Sequence, residues 1–260
     1  MTIIEAIALI ISGLAVGFIN TLAGGATIIS LSMLMFLGLP LNVANGTHRI
    51  AAALQTLTSV STFRSKNVLD WRKGLILGIP VIAGSIIGAR IAIEIHEEAF
   101  EKIVAVVMIL MLVLILYKPK RWLKGKQELI EQRFSWKQVI LFFVIGLYGG
   151  FIYVGIGYFL LAAIVMSAGY DVVRANAIKV LIVLMYVPFT IGVFLWGDMI
   201  NLEYGLVLAI GQVAGAYIGA RSAVANGANF VRWVMVIFII FSVAHLTNLI
   251  DVGELIARMG

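Results

Sequence analysis

A chain of 260 residues that is 62% hydrophobic, only 12% charged and +1.07 in mean hydropathy is not a soluble globular domain; it reads as an all-α polytopic membrane protein. Zero cysteines exclude disulfides, thiol catalysis and zinc–thiolate sites. The formal charge of +6 is carried mostly by short loops between apolar spans, where Lys and Arg mark cytoplasmic loops and need no nucleic-acid partner.

The N-terminus, Met1 to Gly17, lacks a basic leader and a small-residue cleavage site, so it reads as the start of a first span at about 4–22. Further apolar segments follow at about 26–38, 45–64, 74–93 and 99–117. A polar, basic linker occupies 118–137, with Lys118, Lys120, Arg121, Lys124 and Lys126 suiting a cytoplasmic loop. A second set lies at about 138–154, 156–169, 177–197, 204–224 and 230–250. In each set the second segment is short. Ile28 to Leu37 cannot cross a bilayer as one regular helix, which needs roughly 20 residues. Around it stand Gly24-Gly25-Ala26-Thr27, Gly38-Leu39-Pro40 and Ala44-Asn45-Gly46-Thr47-His48-Arg49. Non-helical backbone at membrane depth persists only where protein or a water-filled cavity satisfies it, so this stretch reads as the lining of a site.

Shifting the sequence by 131 residues aligns 24–92 with 155–223 without a gap, and 17 of 69 positions are identical. The matches include Gly24/Gly155, Gly38/Gly169, Asn45/Asn176, Gly84/Gly215, Gly88/Gly219 and Arg90/Arg221, which shared apolar composition does not explain. Equivalent loops carry opposite charge. Arg64, Lys66, Arg72 and Lys73 stand against Asp198 and Glu203, and the acidic loop from Glu94 to Glu101 stands against Arg221 and Arg232. Because Lys and Arg favour the cytoplasmic side, the expectation is two inverted repeats of five spans, 1–117 and 138–260, each with a short broken second helix. The competing topology makes the short segments re-entrant and the repeats parallel.

Several side chains suggest a site. Gly24, Gly25 and Thr27, with Gly155 and Gly157 in the second copy, would free the first backbone N–H groups of the short helices, and such helix starts attract anions. Close helix packing is the alternative, and it is preferred for Gly84, Gly88, Gly215 and Gly219. Asn45 and Asn176 can hold a substrate oxygen or pin broken backbone, and Thr47 adds a hydroxyl in the first copy. His48 and Lys179 fall at equivalent positions; an ionisable group inside an apolar span is a functional candidate, though both, like neighbouring Arg49, lie near enough to span ends to snorkel. Gln55, Thr58 and Tyr186 read as pathway lining. Arg90 and Arg221 read as interfacial anchors, and Trp71, Trp122, Trp136 and Trp196 as an aromatic belt. No metal-ligand cluster among the three histidines, no Gly-x-Ser-x-Gly elbow and no phosphate-binding loop argue for an enzyme, and no cofactor is expected.

The order Gly24-Gly25-Ala26, Gly38-Leu39-Pro40, Ala44-Asn45-Gly46-Thr47, Asp70-Trp71 and Gly84-Ser85-Ile86-Ile87-Gly88-Ala89 resembles the TauE/SafE family of membrane permeases. The second half keeps Gly-Gly-Phe-Ile-Tyr-Val-Gly-Ile-Gly at 149–157 and Ala175-Asn176-Ala177-Ile178-Lys179. The resemblance implies a multi-pass cell-membrane exporter of small anions such as sulfite or sulfoacetate. This sequence departs from the family at His48, where a small hydroxyl residue is commoner. A channel with the same lining is the alternative. A proton as coupling ion, titrating at His48, and a homodimer both stay open.

Overall fold

The computed structural model describes residues 1–96, 98–100, 102–103, 127–130 and 134–246. The predicted span at 99–117 and the linker charges from Lys118 to Lys126 therefore lie almost wholly outside the described residues.

Helix α1 (Ile3–Leu22) starts in a capping box: the Thr2 hydroxyl accepts from the Glu5 N–H, and the Glu5 carboxylate accepts from the Thr2 N–H. It ends at Ala23, and Gly24, at φ +89°, turns the chain into α2 (Thr27–Phe36). At ten residues α2 is about 15 Å long, half of a hydrocarbon core. Gly38 and Pro40 lead into α3 (Leu41–Ser65), and Asp70 caps α4 (Trp71–Glu94) by accepting from the Lys73 N–H. A single turn, α5 (Gln127–Ile130), precedes α6 (Trp136–Phe151), which Ser135 and Gln138 cap as a box. Gly155 starts α7 (Ile156–Ala168), Asp171 caps α8 (Val172–Trp196), and α9 (Leu202–Leu246) follows, interrupted at Gly227 where φ is 70° and ψ −167°. The sequence puts a span boundary near that glycine.

Among the described residues, left-handed backbone occurs at Gly24 and Gly155, Gly38 and Gly169, and Asn67 and Asp198, each pair 131 residues apart; Gly227 is the only other case. The repeat is therefore a repeat of backbone turns as well as of letters. Four described helices are long and apolar enough to cross a membrane: Ile3–Leu22, Trp71–Glu94, Val172–Trp196 and Leu202–Val231. Helix α3 has the length but not the hydropathy, because Asn45, Thr47, His48, Arg49, Gln55, Thr56, Ser59 and Thr62 are all buried along it. The outer surface is apolar, with Ile3, Ile4, Ile79 and Ile210 well exposed, as lipid contact requires.

The two halves interlock. Helix α1 packs chiefly on α9, and α4 packs chiefly on α6. Glycines make these approaches close. Gly84 and Gly88 rest on the backbone of Phe143 and Leu147, while Gly146 and Gly150 rest on Val81 and Ser85; Gly211, Gly215 and Gly219 rest in the same way on Ile10, Leu14 and Phe18. Residue numbers rise together along both seams, so α1 runs parallel to α9 and α4 parallel to α6. Along the α3–α8 seam they run in opposition. Arg49 meets Thr190, whereas Gln55 and Thr56 share a cavity with Val180 and Val183, so these two helices are antiparallel.

Candidate functional site

The two interruptions, between α1 and α2 and between α6 and α7, touch at the centre of the bundle. A Cβ on Gly24 would lie 2.5 Å from the Gly157 Cα, a separation no side chain tolerates, and Gly24 is also left-handed. Asn20 ties the first interruption: its Oδ1 accepts from the Ala26 N–H at 2.7 Å and its Nδ2 donates to Thr27 Oγ1 at 3.3 Å.

Each interruption is then gripped by the other half. Asn176 on α8 donates to the Leu22 carbonyl at 2.7 Å, and Lys179 Nζ donates to the carbonyls of Asn20 (3.0 Å) and Thr21 (3.2 Å) and to Asn176 Oδ1 (2.7 Å). On the other side Asn45 of α3 donates to the Phe151 carbonyl at 3.0 Å and accepts from the Tyr153 N–H at 3.2 Å. Arg49 Nη2 donates to the Gly150 carbonyl at 2.7 Å, and its Nη1 donates to Gly149 O and Thr190 Oγ1, both at 3.1 Å. The last carbonyls of a helix lack intrahelical partners and carry partial negative charge, so an amide and a cation from a neighbouring helix satisfy both deficits. We call these two arrangements latches. The α8 latch holds α1, and the α3 latch holds α6.

Between them lies a cavity of about 20 Å³, lined by Asn20, Gly24, Gln55, Tyr153, Gly157 and Lys179 among others. That volume admits one water-sized body. Lys179 and Arg49 are 2% and 0% exposed, and no Asp or Glu is buried among the described residues, so the interior carries cationic side chains without a carboxylate. Arg49 also lies over the rings of Phe194, at 4.5 Å, and Tyr153, at 5.7 Å. Among the described residues, buried Gln55 Oε1, Arg49 Nε, His48 Nε2 and Tyr158 Oη have no hydrogen-bond partner. Such orphaned polar atoms are uncommon in a folded interior.

The structure brings Gly24, Gln55, Gly157 and Lys179 to the cavity wall, and Asn176 to Lys179. Gly25 and Gly155 sit in the interruptions; a side chain on Gly25 would strike the Tyr158 ring, and Gly155 is the left-handed residue opening α7. The Ala26 N–H, which helix-start binding would leave free, is taken by Asn20. Thr27 serves the same loop. Asn45 pins backbone, the second of the two roles open to it. His48 packs on Tyr153, with ring centroids 5.0 Å apart, and faces Gln212 at 3.4 Å, while the Tyr186 ring lies 6.4 Å from that of Tyr153. Burial rules out snorkelling for His48, Arg49 and Lys179 alike. Thr47 points elsewhere, accepting from the Asn201 N–H at the start of α9. Thr58 lines an outer groove and not this cavity. Sequence reading missed Asn20, Tyr153 and Gln212. Asn20 carried a signal, as a polar residue four positions before the glycine pair in an apolar span; Gln212, opposite Val81 in the repeat, carried a similar one.

Away from the centre, Asp70 accepts from the Tyr170 hydroxyl at 2.5 Å as well as capping α4. Partial burial pushes its carboxyl up, but the Lys73 N–H, the Tyr170 hydroxyl and the charges of Lys73 and Arg174 together hold it below its ordinary value.

The family model described as "Sulfite exporter TauE/SafE" matches residues 9–246. A probable membrane transporter protein, ORF9, of Sinorhizobium sp is 24% identical over 229 residues, covering 88% of this chain and 87% of its own. A probable membrane transporter protein of Haemophilus influenzae is 25% identical over 225 residues, covering 86% and 88%. The probable membrane transporter protein YfcA of Escherichia coli K12 is 24% identical over 225 residues, covering 85% and 81%. No solved structure matches the chain.

Proposed function

The chain belongs to the sulfite exporter TauE/SafE family, and from that premise we propose that it is a permease for a small oxyanion, best suited to sulfite or a two-carbon organosulfonate such as sulfoacetate. One observation carries the reading: buried Lys179 lines a small cavity where two broken helices meet, buried Arg49 lies behind Tyr153 of its wall, and no carboxylate is buried with them among the described residues. A transported cation would meet this positive charge unscreened and lose its hydration without replacement, whereas an anion supplies the missing counter-charge. Gly25, Asn45, Gly157 and Asn176 then shape the backbone around the anion, and Gln55, Tyr153 and Tyr186 give it hydrogen-bonding walls.

The cavity as it stands is too small for a sulfonate, so binding requires it to widen. In this reading the chain is two inverted five-span units, 1–117 and 138–260, joined by a cytoplasmic linker at 118–137. The antiparallel α3–α8 seam supports the inversion, and the paired left-handed turns support the duplication. One latch releases toward one side of the membrane and its counterpart toward the other, which is alternating access around a fixed midplane site. A channel would need a continuously open path, and a cavity of one water's size favours the permease.

Purified protein titrated with sulfite, sulfoacetate, taurine, sulfate and short carboxylates tests the assignment by thermal stabilisation. Stabilisation by sulfite or sulfoacetate above that by taurine and the carboxylates is expected. Equal response to all, or to none, would contradict it.

A further inference from the structure

Outside the central site, a groove of about 570 Å³ opens between α3 and α9 at the end of the bundle that carries Arg64, Lys66, Arg72 and Lys73. It continues past Lys66 and Arg221 into a smaller hollow of about 270 Å³. We propose that this groove binds the headgroup of an anionic phospholipid, with Lys66 and Arg221 holding the phosphate.

Four observations carry the assignment. The two cations come from separate segments, Lys66 from the end of α3 and Arg221 from α9, yet line both hollows, and among the described residues neither is paired with a carboxylate. Arg221 donates to the Tyr217 hydroxyl at 2.7 Å, which leaves that hydroxyl's own proton for an acceptor in the groove. Ser61, exposed beside them, adds a second hydroxyl. Toward the membrane interior the groove wall is Leu57, which is 54% exposed, so an acyl chain finds apolar surface below the phosphate site. A basic cluster beside exposed apolar helix surface is the arrangement that anionic lipid headgroups recognise. A soluble phosphate would use the cations alone and leave the apolar wall idle, so the lipid is the favoured occupant. The site is separate from the central cavity, whose lining it does not share, and it does not depend on which anion is transported.

Native mass spectrometry of the full chain in nonionic detergent, titrated with phosphatidylglycerol or with phosphatidylcholine of the same acyl chains, tests the proposal. Preferential retention of phosphatidylglycerol is expected, falling about ten- to thirtyfold in a Lys66→Gln, Arg221→Gln double variant. Ser61→Trp, which fills the groove and keeps both charges, should lose the same lipid, and Lys179→Met should keep it. Equal retention of the two lipids, or unchanged phosphatidylglycerol binding in both groove variants, would overturn the site. Full displacement of the lipid by equimolar glycerol phosphate would overturn the lipid as occupant.

Discussion

Lys179 satisfies three oxygens at once, two of them terminal carbonyls of α1, so it is both a staple and the nearest full charge to the cavity. Lys179→Met leaves those oxygens buried without a donor. A lost charge-assisted hydrogen bond is worth about 1.5–3 kcal/mol. Anion affinity should therefore fall about ten- to a hundredfold and the melting temperature should fall with it. Asn176→Ala removes the amide that bridges Lys179 to Leu22 and should act in the same direction, as read by ligand-induced stabilisation. Arg90→Gln, at an exposed position, should leave affinity nearly unchanged. Asp70 gives a pH test away from the membrane interior. A carboxyl held below its ordinary value contributes stability that is present above that value and lost as pH falls through it. The melting-temperature gap between wild type and Asp70→Asn should accordingly narrow as pH drops below about 4. Individual residues were legible where chemistry made them conspicuous. Asn45, Asn176, His48 and Lys179 stand out because polar groups inside apolar spans are costly. What Arg49 does was not legible, since its partners at 149, 150 and 190 lie at least 100 positions away.

At the scale of elements, the interruptions were readable from paired glycines beside segments too short to span, and Gly24 and Gly155 are indeed left-handed. Their mutual contact was not readable, because it depends on how the halves dock. Gly24→Ala and Gly157→Ala should each force the interruptions apart, lowering the melting temperature by several degrees and weakening anion binding. Gly192→Ala is the matched control. It sits inside α8 with ordinary helical φ, and a methyl added there would meet nothing within 4 Å among the described residues, so the replacement should stabilise the protein by about 0.5–1 kcal/mol. Equal losses in Gly24→Ala and Gly192→Ala, measured by thermal unfolding, would mean that contact at the interruptions is not what Gly24 provides. The sequence also promised close packing at Gly84, Gly88, Gly215 and Gly219. Each does lie on a neighbouring helix backbone, contributed by the opposite half.

For the whole molecule, interlocking makes the halves one body: α1 belongs with α9, and α4 with α6. Periodicity and offset could reveal duplication, but a gapless alignment holds no information on which copy's helix packs against which. Loop charge argues for the inverted orientation, and single cysteines at Asn67 and Asp198, equivalent turns in the two copies, should then label with an impermeant reagent from opposite faces of the membrane. Labelling of both from one face would remove the inversion and, with it, the pairing of one latch to each side. The claim on which everything else rests is that this interior carries an anion across by opening and closing. Its most direct test is flux of radiolabelled sulfite into liposomes containing the purified chain, over a range of sulfite concentrations. The account predicts uptake that saturates, is competed by sulfoacetate, and falls about ten- to a hundredfold in Lys179→Met at subsaturating sulfite. Uptake that rises linearly without saturation, or is unchanged in Lys179→Met, would contradict it.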